Sequence, residues 1–169
     1  LLTGSVNTVV NRDGVLHGDN TDGYGFMQSM ADAGLHPAGK RLTILGSGGT
    51  AASIIAQAAL DGVYSIDIFS RPESASTKLI EQEAELVRGK TACLLNLYDL
   101  KDHGQLSKSL AQSYCLINAS SVGMAPNTDA CLIPKASMLH PGLAVGDVIY
   151  NPRETKLLHM AREQGCMTF

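Results

Sequence analysis

From Lys40 to the end of the chain, short runs of aliphatic and β-branched residues are separated by longer stretches in which apolar residues recur three and four apart. The short runs predict strands near 41–46, 64–69, 91–96, 114–118 and 144–149, and the longer stretches predict helices near 49–60, 73–88, 102–112 and 153–164. Strict alternation of strand and helix argues for an α/β fold, a doubly wound parallel sheet covered on both faces. Ahead of it, Ser5 to Val10 reads as a strand, Asn11-Arg12-Asp13-Gly14 as a turn, and Val15 to Gly18 as a strand pairing back. Asp22 to Ala33 reads as a helix with Phe26, Met27 and Met30 on one side, ended by Gly34 with Pro37 beyond it. Cys166 to Phe169 reads as the start of one more strand.

This change of pattern divides the chain into residues 1–35 and 36–169, with Leu35 to Gly39 as the connector. The first part is too short to bury a core of its own. It opens straight into a strand without a methionine, and is expected to be the end of a domain that begins elsewhere. A net charge of −3 gives no basic field for nucleic acid, and no apolar run approaches the roughly 20 residues that span a bilayer. With no basic leader, the expected location is the cytoplasm. The 4 cysteines, at 93, 115, 131 and 166, are irregularly spaced, with no C-x-x-C pair and no histidine at ligand spacing. Reduced thiols and no metal site are expected.

The stretch Arg41-Leu42-Thr43-Ile44-Leu45-Gly46-Ser47-Gly48-Gly49-Thr50-Ala51 carries the chemistry. An apolar strand runs into a glycine turn that opens a helix, the order that G-x-G-x-x-[G/A] requires for a dinucleotide. Gly46 suits a tight turn, Gly48 lets backbone approach phosphate, and Ala51 stands where a small residue packs helix on strand. The first-turn N–H groups and the helix dipole then face an anion. Glycines also punctuate ordinary strand-to-helix turns, but here strand, turn, helix and second strand fit within one βαβ unit. That context makes the fold Rossmann-type.

A second polar turn, Gly18-Asp19-Asn20-Thr21-Asp22-Gly23-Tyr24-Gly25, precedes the first helix. Asn20, Thr21 or Asp22 suits a helix cap, and a carboxylate with an amide equally suits a cleft for a polyhydroxylated substrate. Five segments in order resemble the shikimate dehydrogenase family, including its quinate/shikimate dehydrogenase branch: Ser5 to Val10, Gly18 to Gly23, Gly46 to Ala51, Asn118 to Met124, and Asp147-Val148-Ile149-Tyr150-Asn151-Pro152. The resemblance covers residues 4 to 169, the central and C-terminal part of such an enzyme.

It implies reversible hydride transfer between NADP or NAD and the carbon that is a ketone in 3-dehydroshikimate and an alcohol in shikimate, a step of aromatic amino acid synthesis. It implies Asp22 as the catalytic carboxylate, with Asn7, Asp22 and Tyr150 at the substrate. For the cofactor it implies Gly46, Ser47, Gly48, Gly49 and Thr50 at the pyrophosphate, Val148 as a backbone contact at the nicotinamide end, and further contact from Asn118, Ser120, Ser121 and Asn151, while Ser70, Arg71 and Glu73 at the end of the second strand are where the choice between NADP and NAD rests. Asn118 to Ser121 also reads as a hydrogen-bonded turn, and Asn151-Pro152 as a helix start.

Ketone reduction needs a proton for the developing alkoxide, and an aspartate near its free pKa of about 3.9 needs a cationic neighbour to supply one. The family's paired lysine lies in an N-terminal motif outside this sequence, so the 169 residues are expected to bind cofactor with little turnover. Arg71 suits a 2′-phosphate and Glu73 suits ribose hydroxyls, so NADP is favoured with NAD open. Asp67 lies inside a strand and is expected to be structural, and the five histidines at 17, 36, 103, 140 and 159 are expected to be solvated residues. Shikimate against quinate is not decided, and a homodimer is left open. A non-catalytic dinucleotide-binding module and another two-domain Rossmann dehydrogenase are the alternatives. Asn7 and Asp22 argue against the first, and the Asn-Thr-Asp and 118–124 segments against the second.

Overall fold

The computed structural model describes residues 5–169. Two strands, β1 (Thr8–Arg12) and β2 (Val15–Asp19), form an antiparallel hairpin, followed by helix α1 (Asp22–Asp32). Then come β3 (Arg41–Leu45), α2 (Gly49–Leu60), β4 (Ser65–Ser70), α3 (Ala75–Arg88), β5 (Leu94–Asp99), α4 (His103–Gln112), β6 (Cys115–Asn118), β7 (Ala144–Asp147), α5 (Lys156–Glu163) and β8 (Met167–Thr168). The second group forms a six-stranded parallel sheet in the order β5-β4-β3-β6-β7-β8. This is the doubly wound α/β arrangement expected, and it reverses direction between β3 and β6.

Two apolar clusters lie on the two faces of the sheet, because successive strand side chains point to opposite sides. Leu42, Ile44, Ile66, Ile68 and Ile117 join α1, α2 and α3 on one face. Leu45, Phe69, Leu116 and Val145 join α4 and α5 on the other. Helix α2 is buried on nearly every side, because α1 covers the flank that faces away from the sheet. That packing requires Gly23, where a Cβ would stand 2.2 Å from the Ser53 carbonyl oxygen. The same α1 buries Met27 and Met30, while Phe26 meets Phe169 with ring centroids 5.6 Å apart.

Several boundaries differ from the sequence pattern for local reasons. The first strand begins at Thr8 and the hairpin turns on Asp13 and Gly14, whose positive φ angles of 52° and 85° match a two-residue primed turn. The strand expected at 91–96 is Leu94–Asp99, since the N–H groups of Gly89, Lys90 and Thr91 are used closing the end of α3. The strand expected at 144–149 ends at Asp147, whose carboxylate accepts from the Ile149 N–H. The last helix begins at Lys156, and its cap is Thr155, which accepts from the Leu158 N–H, so Asn151-Pro152 does not start it. Asp67 is a structural carboxylate in β4, accepting from Asn96 Nδ2 at 2.9 Å and Ser109 Oγ at 2.6 Å.

Candidate functional site

At the carboxyl ends of β3, β4 and β6, where the strand order reverses, lies a groove of about 500 Å³. Open α/β sheets bind ligands at this reversal, because the loops after neighbouring strands part there. Its floor is the turn between β3 and α2. Gly46 takes φ 116°, and a Cβ there would lie 2.9 Å from the Ala119 carbonyl oxygen, so the turn packs directly on the loop after β6. Gly48 is the cap residue of α2, and a Cβ on it would meet no heavy atom within 4 Å among the described residues. The absent side chain therefore opens the first turn of α2 towards solvent.

Of the residues singled out for a cofactor, Gly46, Ser47, Gly48, Ser70, Arg71, Ser120 and Ser121 line this groove together. On the β4 side, Ser47 Oγ lies 2.9 Å from Ser76 Oγ and 3.1 Å from Thr77 Oγ1, and Thr77 Oγ1 donates to Ser70 Oγ at 3.0 Å. These hydroxyls tie the glycine turn to the start of α3 and leave Arg71 exposed at the rim. Leu100, Val122 and Leu132 supply apolar wall, and Ser76 lines the groove beside Ser47. Sequence reasoning missed these four. Ser76 lies beside the capping residue Ser74, while the leucines come from loops whose approach has no local signal.

Gly49, Thr50, Glu73, Asn118, Val148 and Asn151 do not line the groove. Asn118 is 2% exposed and lies beneath it, with Oδ1 accepting from Ser120 N and Oγ and Nδ2 donating to Val122 O and Asp147 Oδ1. Its amide shapes the loop and has no free face. Val148 donates its N–H to the Asn118 carbonyl at 3.1 Å. Glu73 and Asn151 are exposed.

Thr50 makes a different connection. Its hydroxyl donates to Asp22 Oδ2 at 3.1 Å, and Asn7 Nδ2 donates to Asp22 Oδ1 at 2.5 Å. One turn further along α2, Ser53 Oγ donates to Asn20 Oδ1 at 2.8 Å and accepts from Gly23 N. Asn20 Oδ1 also accepts from Asp22 N, the first N–H of α1, whose cap residue Thr21 makes no side-chain cap bond. Asn7 and Asp22 are thus brought together beside the glycine turn. No ion pair holds Asp22 among the described residues. Tyr150 is 86% exposed.

The buried titratable groups behave as apolar surroundings dictate. Burial raises the Asp147 carboxyl above its ordinary value, against hydrogen bonds from Thr155, Ile149 and Asn118. Burial pushes the Cys93 thiol up to about 11 and raises Cys115, Cys131 and Cys166 as well, and all four cysteines are unpaired. Among the described residues, no group of acidic, histidine or cysteine side chains is arranged to hold a metal ion, and no helix is long and apolar enough to cross a membrane.

Known proteins match this chain from end to end. It is 48% identical over 167 residues to the shikimate dehydrogenase (NADP(+)) of Listeria monocytogenes, an alignment covering 99% of this chain and 57% of that protein. This chain is a homologue of the shikimate dehydrogenases. The quinate/shikimate dehydrogenase of Escherichia coli is 39% identical over 167 residues, covering 99% of this chain and 58% of that one. Among solved structures, shikimate 5-dehydrogenase from Listeria monocytogenes in complex with shikimate and NAD superposes with a TM-score of 0.93, at 48% identity over 99% of this chain and 58% of that one. No family model matches the chain. The chain therefore spans somewhat more than half the length of these shikimate dehydrogenases.

Proposed function

We propose that the groove binds NADP and that the chain forms the cofactor-holding part of an enzyme that transfers hydride reversibly between NADP(H) and shikimate. The observation that carries this reading is the open first turn of α2 above Gly46 and Gly48, at the reversal of the sheet. A diphosphate there meets unpaired N–H groups and the positive end of the helix dipole. The adenosine half lies over β4, where the exposed Arg71 guanidinium offers a fork of donors to a 2′-phosphate. The nicotinamide half lies over β6, against the Ser120-Ser121-Val122 loop.

Substrate stands beyond the nicotinamide, beside Asn7 and Asp22. Asn7 fixes the direction of the Asp22 carboxylate, and Thr50 fixes its other oxygen. Asp22 is the group that exchanges a proton with the reacting hydroxyl, and a cationic partner beside it would be the source of the proton in the reducing direction. The names of the relatives support shikimate as substrate, with quinate as the extension that the Escherichia coli protein suggests. A second reading, with NAD as cofactor, is favoured by the Listeria structure that holds NAD and by Glu73 close after Arg71.

Calorimetric titration of the chain with NADP and with NAD tests both readings. NADP is expected to bind more tightly, and Arg71→Ala is expected to weaken NADP by roughly tenfold while changing NAD little, the loss of a charge-assisted pair. Equal loss for both dinucleotides would move the 2′-phosphate away from Arg71. Absence of binding by either would overturn the groove assignment.

A further inference from the structure

Between the glycine turn and the start of α3, the wall of the groove is made of hydroxyls. Ser47 Oγ on the turn lies 2.9 Å from Ser76 Oγ in the first turn of α3, and Ser76 Oγ lies 2.9 Å from Ser74 Oγ. In both contacts either oxygen can be the donor. The Ser76 proton is therefore free to point at its neighbours or into the groove, because Ser47 or Ser74 can donate to the Ser76 oxygen instead. Ser47 and Ser76 both line the groove and are half-buried. Ser70, at the end of β4, is 4% exposed, and its oxygen accepts from Thr77 Oγ1. Among the described residues, no acidic side chain lines the groove.

The adenosine ribose joins diphosphate to adenine, so a bound dinucleotide carries it from the glycine turn towards the end of β4, past Ser47 and Ser76. Rossmann sites for NAD present a carboxylate to the ribose 2′-hydroxyl there, and sites for NADP present an arginine to the 2′-phosphate. Here Arg71 stands at the rim, and a guanidinium only donates. The half-buried serine hydroxyls beside it can do both. We propose that Ser76 meets the 2′ position of the adenosine ribose and that its hydroxyl serves either substituent, accepting from the 2′-hydroxyl of NAD and donating to the 2′-phosphate of NADP. The proposal rests on the reading of the groove as a dinucleotide site and deepens it. Arg71 sets how far NADP is preferred, and Ser76 keeps NAD admissible.

A carboxylate in the same place accepts and cannot donate. Ser76→Asp therefore suits a ribose hydroxyl and repels a 2′-phosphate, and an acidic residue in the first turn of α3 suits the helix dipole. Calorimetry with NAD and with NADP on wild type and Ser76→Asp, with a thermal melt of each chain, tests the proposal. Wild type is expected to bind both. Ser76→Asp is expected to weaken NADP by about tenfold or more and to change NAD by less than about threefold, as a like charge beside the 2′-phosphate implies. Loss of local structure alone would weaken both equally. Equal change for the two dinucleotides, or no change for either, overturns the proposal, and so does wild type that binds only one of them. If Ser76→Asp does not melt cooperatively, Ser76→Ala decides. Weakening of both dinucleotides by about three- to tenfold at an unchanged melting temperature supports the proposal, as loss of one hydrogen bond to each implies, and any other result overturns it. Wild type that binds neither dinucleotide overturns the dinucleotide reading itself, whereas wild type that binds both while the variants show no such change overturns the role of Ser76 alone.

Discussion

Gly46 is constrained twice over, by a φ of 116° and by the Ala119 carbonyl that occupies the place of a Cβ. Gly46→Ala is therefore expected to cost on the order of 1–3 kcal/mol and to lower the urea midpoint accordingly. An unchanged midpoint would mean that the turn and the β6 loop can separate. Asp147 makes a different prediction, about pH. Burial raises its folded-state pKa above the ordinary carboxyl value, so the native state holds that proton more tightly than the unfolded chain does. Between the ordinary and the raised value the unfolded chain binds fewer protons, and the contribution of this carboxyl to stability falls as pH rises through that window. Urea denaturation of wild type and Asp147→Asn across a pH series is expected to show wild type losing stability relative to the variant in that window, with a constant difference above it. A difference moving the opposite way would reverse the sign of the burial effect.

Helix α1 belongs energetically with α2, because its Met30 is fully buried in the cluster that α2 and the sheet share. Two glycines of α1 separate packing from propensity. Gly23→Ala drives a methyl group into the Ser53 backbone and is expected to cost about 1–3 kcal/mol, while Gly25→Ala, facing open space, is expected to be neutral or to stabilise by up to about 1 kcal/mol. Thermal melts of the two variants check this. Similar melting temperatures would contradict the close approach of α1 to α2. The approach also has a functional consequence, because Thr50 and Ser53 on the first turns of α2 hold Asp22 and Asn20 at the start of α1. A shift between the helices moves the candidate carboxylate relative to the glycine turn.

At the scale of the whole chain, the partners of Asp22 decide what these residues can do. Asn7 and Thr50 both donate neutral hydrogen bonds to it, and no cation pairs with it among the described residues. The 169 residues alone are accordingly expected to bind dinucleotide and to reduce 3-dehydroshikimate at a rate indistinguishable from background, followed as loss of NADPH absorbance. Turnover comparable to that of an intact shikimate dehydrogenase would overturn this expectation.

Strand–helix alternation, the glycine turn and the hairpin were all legible in the amino-acid sequence, because each depends on side-chain periodicity or on backbone angles that a few neighbouring residues set. The pairing of Asn7 with Asp22 followed only from the family resemblance, since 15 residues and a hairpin separate them. Three matters were decided by tertiary structure. Asn118 lies beneath the groove and not in it, the Thr50 hydroxyl is taken by Asp22, and α2 is covered by a helix from the preceding segment. In each case the outcome depends on which distant backbone arrives within a few ångströms, and a buried amide or hydroxyl takes the partner that packing supplies.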